Sequence, residues 1–77
     1  MRPFLKLVDH ELLAARQKHP QIHDLHAAYS VILEEVDEFW GEVKKQVPDR
    51  SNVLQELVQI AAMCCRAAED LRLKGVT

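Results

Sequence analysis

The stretch LHAAYSVILEEVDEFWGEVKKQ, residues 25–46, decides the fold. Its apolar residues recur every three or four positions and never settle into the period of two that a strand requires. At 100° per residue, Leu25, Tyr29, Ile32, Val36, Phe39, Trp40 and Val43 fill one wide arc of a helix, with Ala27 and Val31 on the other side. The same segment carries Glu34, Glu35, Asp37, Glu38 and Glu42 without a basic residue among them.

Outward from this segment, Pro20 and Pro48 punctuate the chain. A first helix is predicted from Phe4 to Lys18, with Leu5, Val8, Leu12 and Ala15 on one face. It stops there because the residue before a proline avoids the helical region. The second helix is predicted over Asp24 to Gln46 and the third over Asn52 to Leu73. Asp49, Ser51 and Asn52 offer N-cap oxygens, Gln55 follows Asn52 as a loose capping box, and Lys74-Gly75 makes a C-terminal stop. The expectation is one all-α domain, residues 1–77, with three helices.

Helices of about 22 residues span roughly 33 Å, whereas a compact globule of this size is only about 30 Å across. Two such helices side by side make a rod with a short helix attached. On the third helix, Val53, Leu57, Ile60, Ala61, Cys64, Ala68 and Leu71 form a stripe. Leu54, Val58 and Cys65 widen it beyond what an ordinary surface helix needs. A chain this short buries only about 60% of its unfolded surface. We therefore expect a homo-oligomer, a homodimer or a dimer of dimers, whose two long antiparallel helices form a four-helix-bundle core. The alternative is a monomeric bundle with an unusually apolar surface.

Composition narrows the function. Twelve acidic against ten basic residues give a formal charge of −2, which argues against a nucleic-acid binder. No apolar run approaches the ~18 residues of a membrane span, and Met1–Lys6 lacks the pattern of a secretory signal, so a cytoplasmic location is expected. Cys64 and Cys65 are adjacent, point in different directions on a helix and read as small core residues; no Cys/His spacing matches a zinc site. His23 and His26 are three apart, but Pro20 breaks the register with His19, so a transition-metal site is not expected there.

Glu34, Glu35, Glu38 and Glu42 fall within about a 100° sector of the second helix, with Asp37 outside it. Like charges at i,i+4 destabilise a helix by a few tenths of a kcal/mol per pair. Either solvent compensates, as on most charged faces, or a hard divalent cation does, since oxygen-only ligands suit Mg²⁺ or Mn²⁺. The third helix carries a polar stripe of its own, Asn52, Glu56, Gln59, Arg66 and Asp70. Glu56 and Gln59 repeat the i,i+3 spacing of Glu35 and Glu38, so antiparallel packing would set two pairs face to face.

These residues resemble a known family. Glu34-Glu35-Val36-Asp37-Glu38 is similar to the EExxE motif of the MazG-like, all-α nucleoside triphosphate pyrophosphohydrolases. Glu56-Leu57-Val58-Gln59 stands where that family carries ExxD, with Gln59 replacing the last Asp. The helical layout and the stretch from His26 to Leu33 are similar too, so the resemblance covers residues from about Leu12 to Leu71. It implies hydrolysis of a (deoxy)nucleoside triphosphate between the α- and β-phosphates, with Mg²⁺ or Mn²⁺ as cofactor, for housekeeping of the nucleotide pool. It implies Glu35, Glu38, Glu56 and Gln59 as metal ligands. Glu34 would be a further ligand or the group orienting the attacking water, making Glu34, Glu35 and Glu38 the catalytic set. A glutamine carbonyl can coordinate a cation but brings no charge. The alternative is therefore a catalytically impaired helical nucleotide-binding or oligomerisation module.

For the substrate, Arg66 lies on the same face as Gln59 and is the best phosphate candidate, unless Asp70 pairs with it. Lys44 is a second, although a cation there also suits the helix dipole. His26 and Trp40 are candidates for substrate contact. Tyr29, Phe39 and Trp40 all lie on the apolar arc, where core packing competes with nucleotide stacking. Gly41, next to Trp40, would allow close approach of a ligand or of another helix.

Overall fold

A computed structural model describes residues 1–76. Three helices, α1 (Pro3–Lys18), α2 (Leu25–Val43) and α3 (Arg50–Asp70), account for the regular structure, and there is no strand among the described residues. Pro3 occupies the first turn of α1, where its missing N–H costs nothing. His19, held extended ahead of Pro20, ends the helix. Asp24 caps α2 by accepting from the Ala27 N–H at 2.7 Å, and Asp49 caps α3 by accepting from Ser51 and Asn52. The predicted second and third helices each run about three residues too far at the C-terminal end. Backbone N–H groups of Lys45 and Arg72 close the last turns instead.

The central element is α3, which packs against both α1 and α2. Its partners run in opposite senses. Arg16, near the end of α1, meets Glu69 and Asp70 near the end of α3, so these two helices are parallel. Glu42 near the end of α2 meets Asn52 at the start of α3, while Ala28 clusters with Ala67, so α2 and α3 are antiparallel. Val8, Leu12 and Ala15 pack against Val58, Ala62 and Met63 to form the larger core cluster. Small residues in the middle of α3 let the flanking helices approach, and Ala62 is fully buried.

Residues 19–24 cross the end of α3 on their way from α1 to α2, and a polar hub holds them there. Buried Arg66 donates from Nη2 to the Pro20 carbonyl at 2.6 Å and lies 4.0 Å from Asp70. Asp70 accepts from the Ile22 N–H at 2.9 Å and from Arg16 Nη1 at 2.6 Å. Burial opposes ionisation of Asp70, but these donors outweigh it and hold its carboxyl below the usual range. Ile22 is thereby seated against Ala28 and Ala67.

The packing corrects several expectations. On α2, Ala28, half-buried Glu35 and buried Glu42, spaced seven apart, face α3, and Ala27, Val31 and Ile32 pack beside them against the core. Of the apolar arc, Ile32 is thus covered within the chain, whereas Leu25, Tyr29, Val36, Trp40 and Val43 stay exposed. Cys64 and Cys65 are exposed, not core residues, because α3 turns Val58, Ala62 and Met63 toward α1. A four-helix core is not formed within the single chain, which leaves those faces bare. A Cβ at Gly41 would meet nothing within 4 Å, so no close approach explains this glycine.

Two outcomes follow. Gly41→Ala should raise stability by about 0.5–1 kcal/mol, since an open helical site loses only the entropic cost of glycine. Arg66→Met, which keeps the stem but orphans the Pro20 carbonyl, should lower it by about 2 kcal/mol. Urea midpoints at unchanged m-value measure both.

Candidate metal centre and cleft

The i,i+3 spacing of Glu35 and Glu38 places both on the α3-facing side of α2, and antiparallel packing brings Glu56 opposite them. One carboxylate oxygen from each of the three lies within 4.8 Å of the others. Glu38 is exposed, whereas Glu35 and Glu56 are half-buried. Glu35 Oε2 and Glu56 Oε2 are both sealed from solvent without a hydrogen-bond partner. Buried polar atoms are ordinarily paired, so two unpartnered oxygens in one all-carboxylate cluster fit a hard cation or a shared proton.

The electrostatics carry the same message. Burial, then the negative field of Glu38 and that of Glu56 and Glu34, push the Glu35 carboxyl up to about 7. Burial, followed by Glu38 and Glu42, raises Glu56 as well. Without a counter-charge the cluster therefore favours holding a proton near neutrality.

Glu42 leaves the acidic set. Its Oε1 accepts from Lys45 Nζ at 2.8 Å and from Asn52 Nδ2 at 3.4 Å, and its Oε2 accepts from the Asp49 N–H at 2.9 Å. The Lys45 bond and then the Asp49 N–H keep this carboxyl below its ordinary range. It is a clasp that fixes the α2–α3 corner, and with it the register that sets Glu56 against Glu35.

Beside the cluster lies a cleft of about 580 Å³, bounded by α1, residues 19–24, α2 and α3. Glu34, Glu35 and Gln59 line it, so Glu35 belongs to both cluster and cleft. Gln59, half-buried, presents a neutral amide where the first three positions present carboxylates. From α1 and the 19–24 segment the cleft is lined by Lys18, His19 and His23 together with Glu11 and Asp24, and from α3 also by Arg66. Arg66 is buried and already donates to Pro20, so its observed work is to brace the 19–24 segment.

Other sequence candidates sit elsewhere. Lys44 is the exposed C-cap of α2, and neither it nor exposed His26 lines the cleft. Trp40 is exposed and lies roughly 140–160° around α2 from Glu35 and Glu38. Lys18, His19 and His23 are the cleft residues that sequence spacing missed. The sole clue was Pro20, which ends α1 and obliges the chain to fold back over α3. No protein-family model matches this chain, nor does any curated protein or solved structure.

The raised Glu35 value fixes a sign. Neutral Glu35 stabilises the fold below its unfolded pKa, and this contribution is lost as pH rises through about 7. Metal-free Glu35→Gln protein should therefore melt a few degrees above wild type at pH 8, with the gap closing by pH 5. Mg²⁺ should raise the wild-type midpoint at pH 8, do so much less at pH 5, and leave the variant unmoved. Circular-dichroism melts at the two pH values read all three effects.

Proposed function

We propose that this chain is a metal-dependent nucleoside triphosphate pyrophosphohydrolase of MazG-like character, cleaving between the α- and β-phosphates to release the monophosphate and pyrophosphate. We place it in nucleotide-pool housekeeping and read its working form as a homodimer or a dimer of dimers. The observation that supports this most is the meeting of Glu35, Glu38 and Glu56, two of them with orphaned buried oxygens, at the edge of a cleft that Lys18 and Arg66 also line.

The donor set is all oxygen and anionic, which fits Mg²⁺ or Mn²⁺ and not a thiophilic metal. Glu35, Glu38 and Glu56 would hold the cation, with the Gln59 carbonyl as a neutral fourth donor. Bound there, a divalent ion neutralises phosphate charge and acidifies a neighbouring water. The chain's own residues supply the rest, because phosphoryl transfer needs positioning and charge balance more than covalent help. Glu34, beside Glu35 in the cleft wall, orients the water and takes its proton. Lys18 offsets triphosphate charge, and His19 and His23 offer ring N–H donors from the same lining. Arg66 holds Pro20, and so keeps that wall in place.

Gln59 favours one alternative, a nucleotide-binding module that retains the cleft but turns over slowly or not at all. One experiment separates the two. Pyrophosphate release is followed from a panel of ribo- and deoxyribonucleoside triphosphates with Mg²⁺ and then Mn²⁺. The expected result is metal-dependent release that falls at least 100-fold in folded Glu38→Ala protein and rises in Gln59→Asp protein at limiting metal. Release that is absent from wild type and appears in Gln59→Asp assigns the binding module. Absence from both contradicts the pyrophosphohydrolase reading.

A further inference from the structure

The uncovered side of α2 has a pattern of its own. Tyr29, Leu33, Val36, Trp40 and Val43 are between 40% and 65% exposed. Their spacing of four, three, four and three is the heptad seam of a coiled coil, narrower than the stripe of an ordinary surface helix. It lies about 120° around α2 from the Ala28–Glu35–Glu42 line that faces α3, so α2 is built to be gripped from two sides.

The seam is complementary to itself. Tyr29 and Trp40 are equidistant from a point between residues 34 and 35, and so are Leu33 and Val36. That point lies at the middle of α2, Leu25–Val43. A second α2 laid antiparallel across this point sets Tyr29 against Trp40 of the other copy and Leu33 against its Val36. These are the layers of an isologous two-fold contact. Antiparallel alignment further sets opposite ends of the two helix dipoles together.

The surface area agrees. A folded monomer of 8.8 kDa exposes about 4,800 Å², whereas this chain exposes 5906 Å². The excess of about 1,100 Å² is comparable to the roughly 800 Å² that each partner contributes to a standard interface. Shape points the same way, with extents of 40 × 30 × 23 Å and a radius of gyration of 13.1 Å against about 11.5 Å for a compact chain of this length.

We propose that the α2 seam is the contact with a second copy of this chain, the two α2 helices crossing antiparallel about residues 34 and 35. This deepens the assembly reading given above and does not depend on the chemistry of the cleft. Its readouts are mass and cross-linking, so loss of triphosphate turnover would leave it standing. None of the seam residues lines the cleft.

Sedimentation equilibrium of the full chain should give at least twice 8.8 kDa, and Val36→Glu should return it to monomer with its helix content kept. Leu13→Glu, on the exposed side of α1, should leave the mass unchanged. Cross-linking tests the geometry where a charged variant fails to fold. In a Cys64→Ser, Cys65→Ser background, Tyr29→Cys and Trp40→Cys proteins should form a disulfide when mixed and oxidised, while neither alone should cross-link to itself. A monomeric wild type would overturn the proposal. So would a dimer indifferent to Val36→Glu, or self-cross-linking of each variant, which marks parallel helices.

Discussion

Like charges brought within 4.8 Å of one another in a partly dried interface repel, and the packing of α2 on α3 holds three of them. Burial and the neighbouring negative charges make ionisation of Glu35 costly there, which is why its carboxyl is pushed up to about 7. Two of the six carboxylate oxygens lack even a hydrogen-bond donor. The inner face of α2 thus mixes these carboxylates with Ala28, Val31 and Ile32, which pack on the core. Tyr29, Leu33, Val36, Trp40 and Val43 meanwhile face outward. Both facts make sense together if a cation completes the inner face of α2 and another helix completes the outer one.

Two polar clasps keep the cluster from relaxing. At one end, Glu42 ties the α2–α3 corner through Lys45, Asp49 and Asn52. At the other, Arg66 and Asp70 bind the Pro20 carbonyl and the Ile22 N–H, and Arg16 ties α1 to the same hub. Between the clasps the helices cannot slide, so Glu56 stays opposite Glu35. The same hub presents residues 19–24 as the wall of the cleft. Structure and proposed chemistry thus share these residues, and Arg66 holds the backbone that lines the cleft.

The three helices were legible because their limits are set locally. Pro20 stops α1, while Asp24 and Asp49 cap the helices that follow them. Which face of each helix would be covered was not legible. Periodicity says that Leu25, Tyr29, Val36, Trp40 and Val43 share a side, but it does not name the neighbour. That choice fell to α3, whose Glu56, Gln59 and small residues accept the acidic side of α2. The juxtaposition of Glu35, Glu38 and Glu56 could be anticipated from matching i,i+3 pairs on antiparallel helices. The departure of Glu42 could not, since it depends on a corner in which the Asp49 N–H points back at α2. Lys18, His19 and His23 were equally hidden, because they reach the cleft only through the fold-back after Pro20.

The central claim is that the three carboxylates form one divalent-cation site, and Mn²⁺ offers the most direct probe. Titration of Mn²⁺ into the metal-free chain at pH 8, followed by electron paramagnetic resonance, reports free and bound ion without any need for turnover. The account predicts saturable binding at about one ion per chain, weakened at least tenfold by Glu56→Gln and untouched by Glu69→Gln. Binding that is equally weak in all three proteins, or that Glu69→Gln weakens as much as Glu56→Gln, would contradict it.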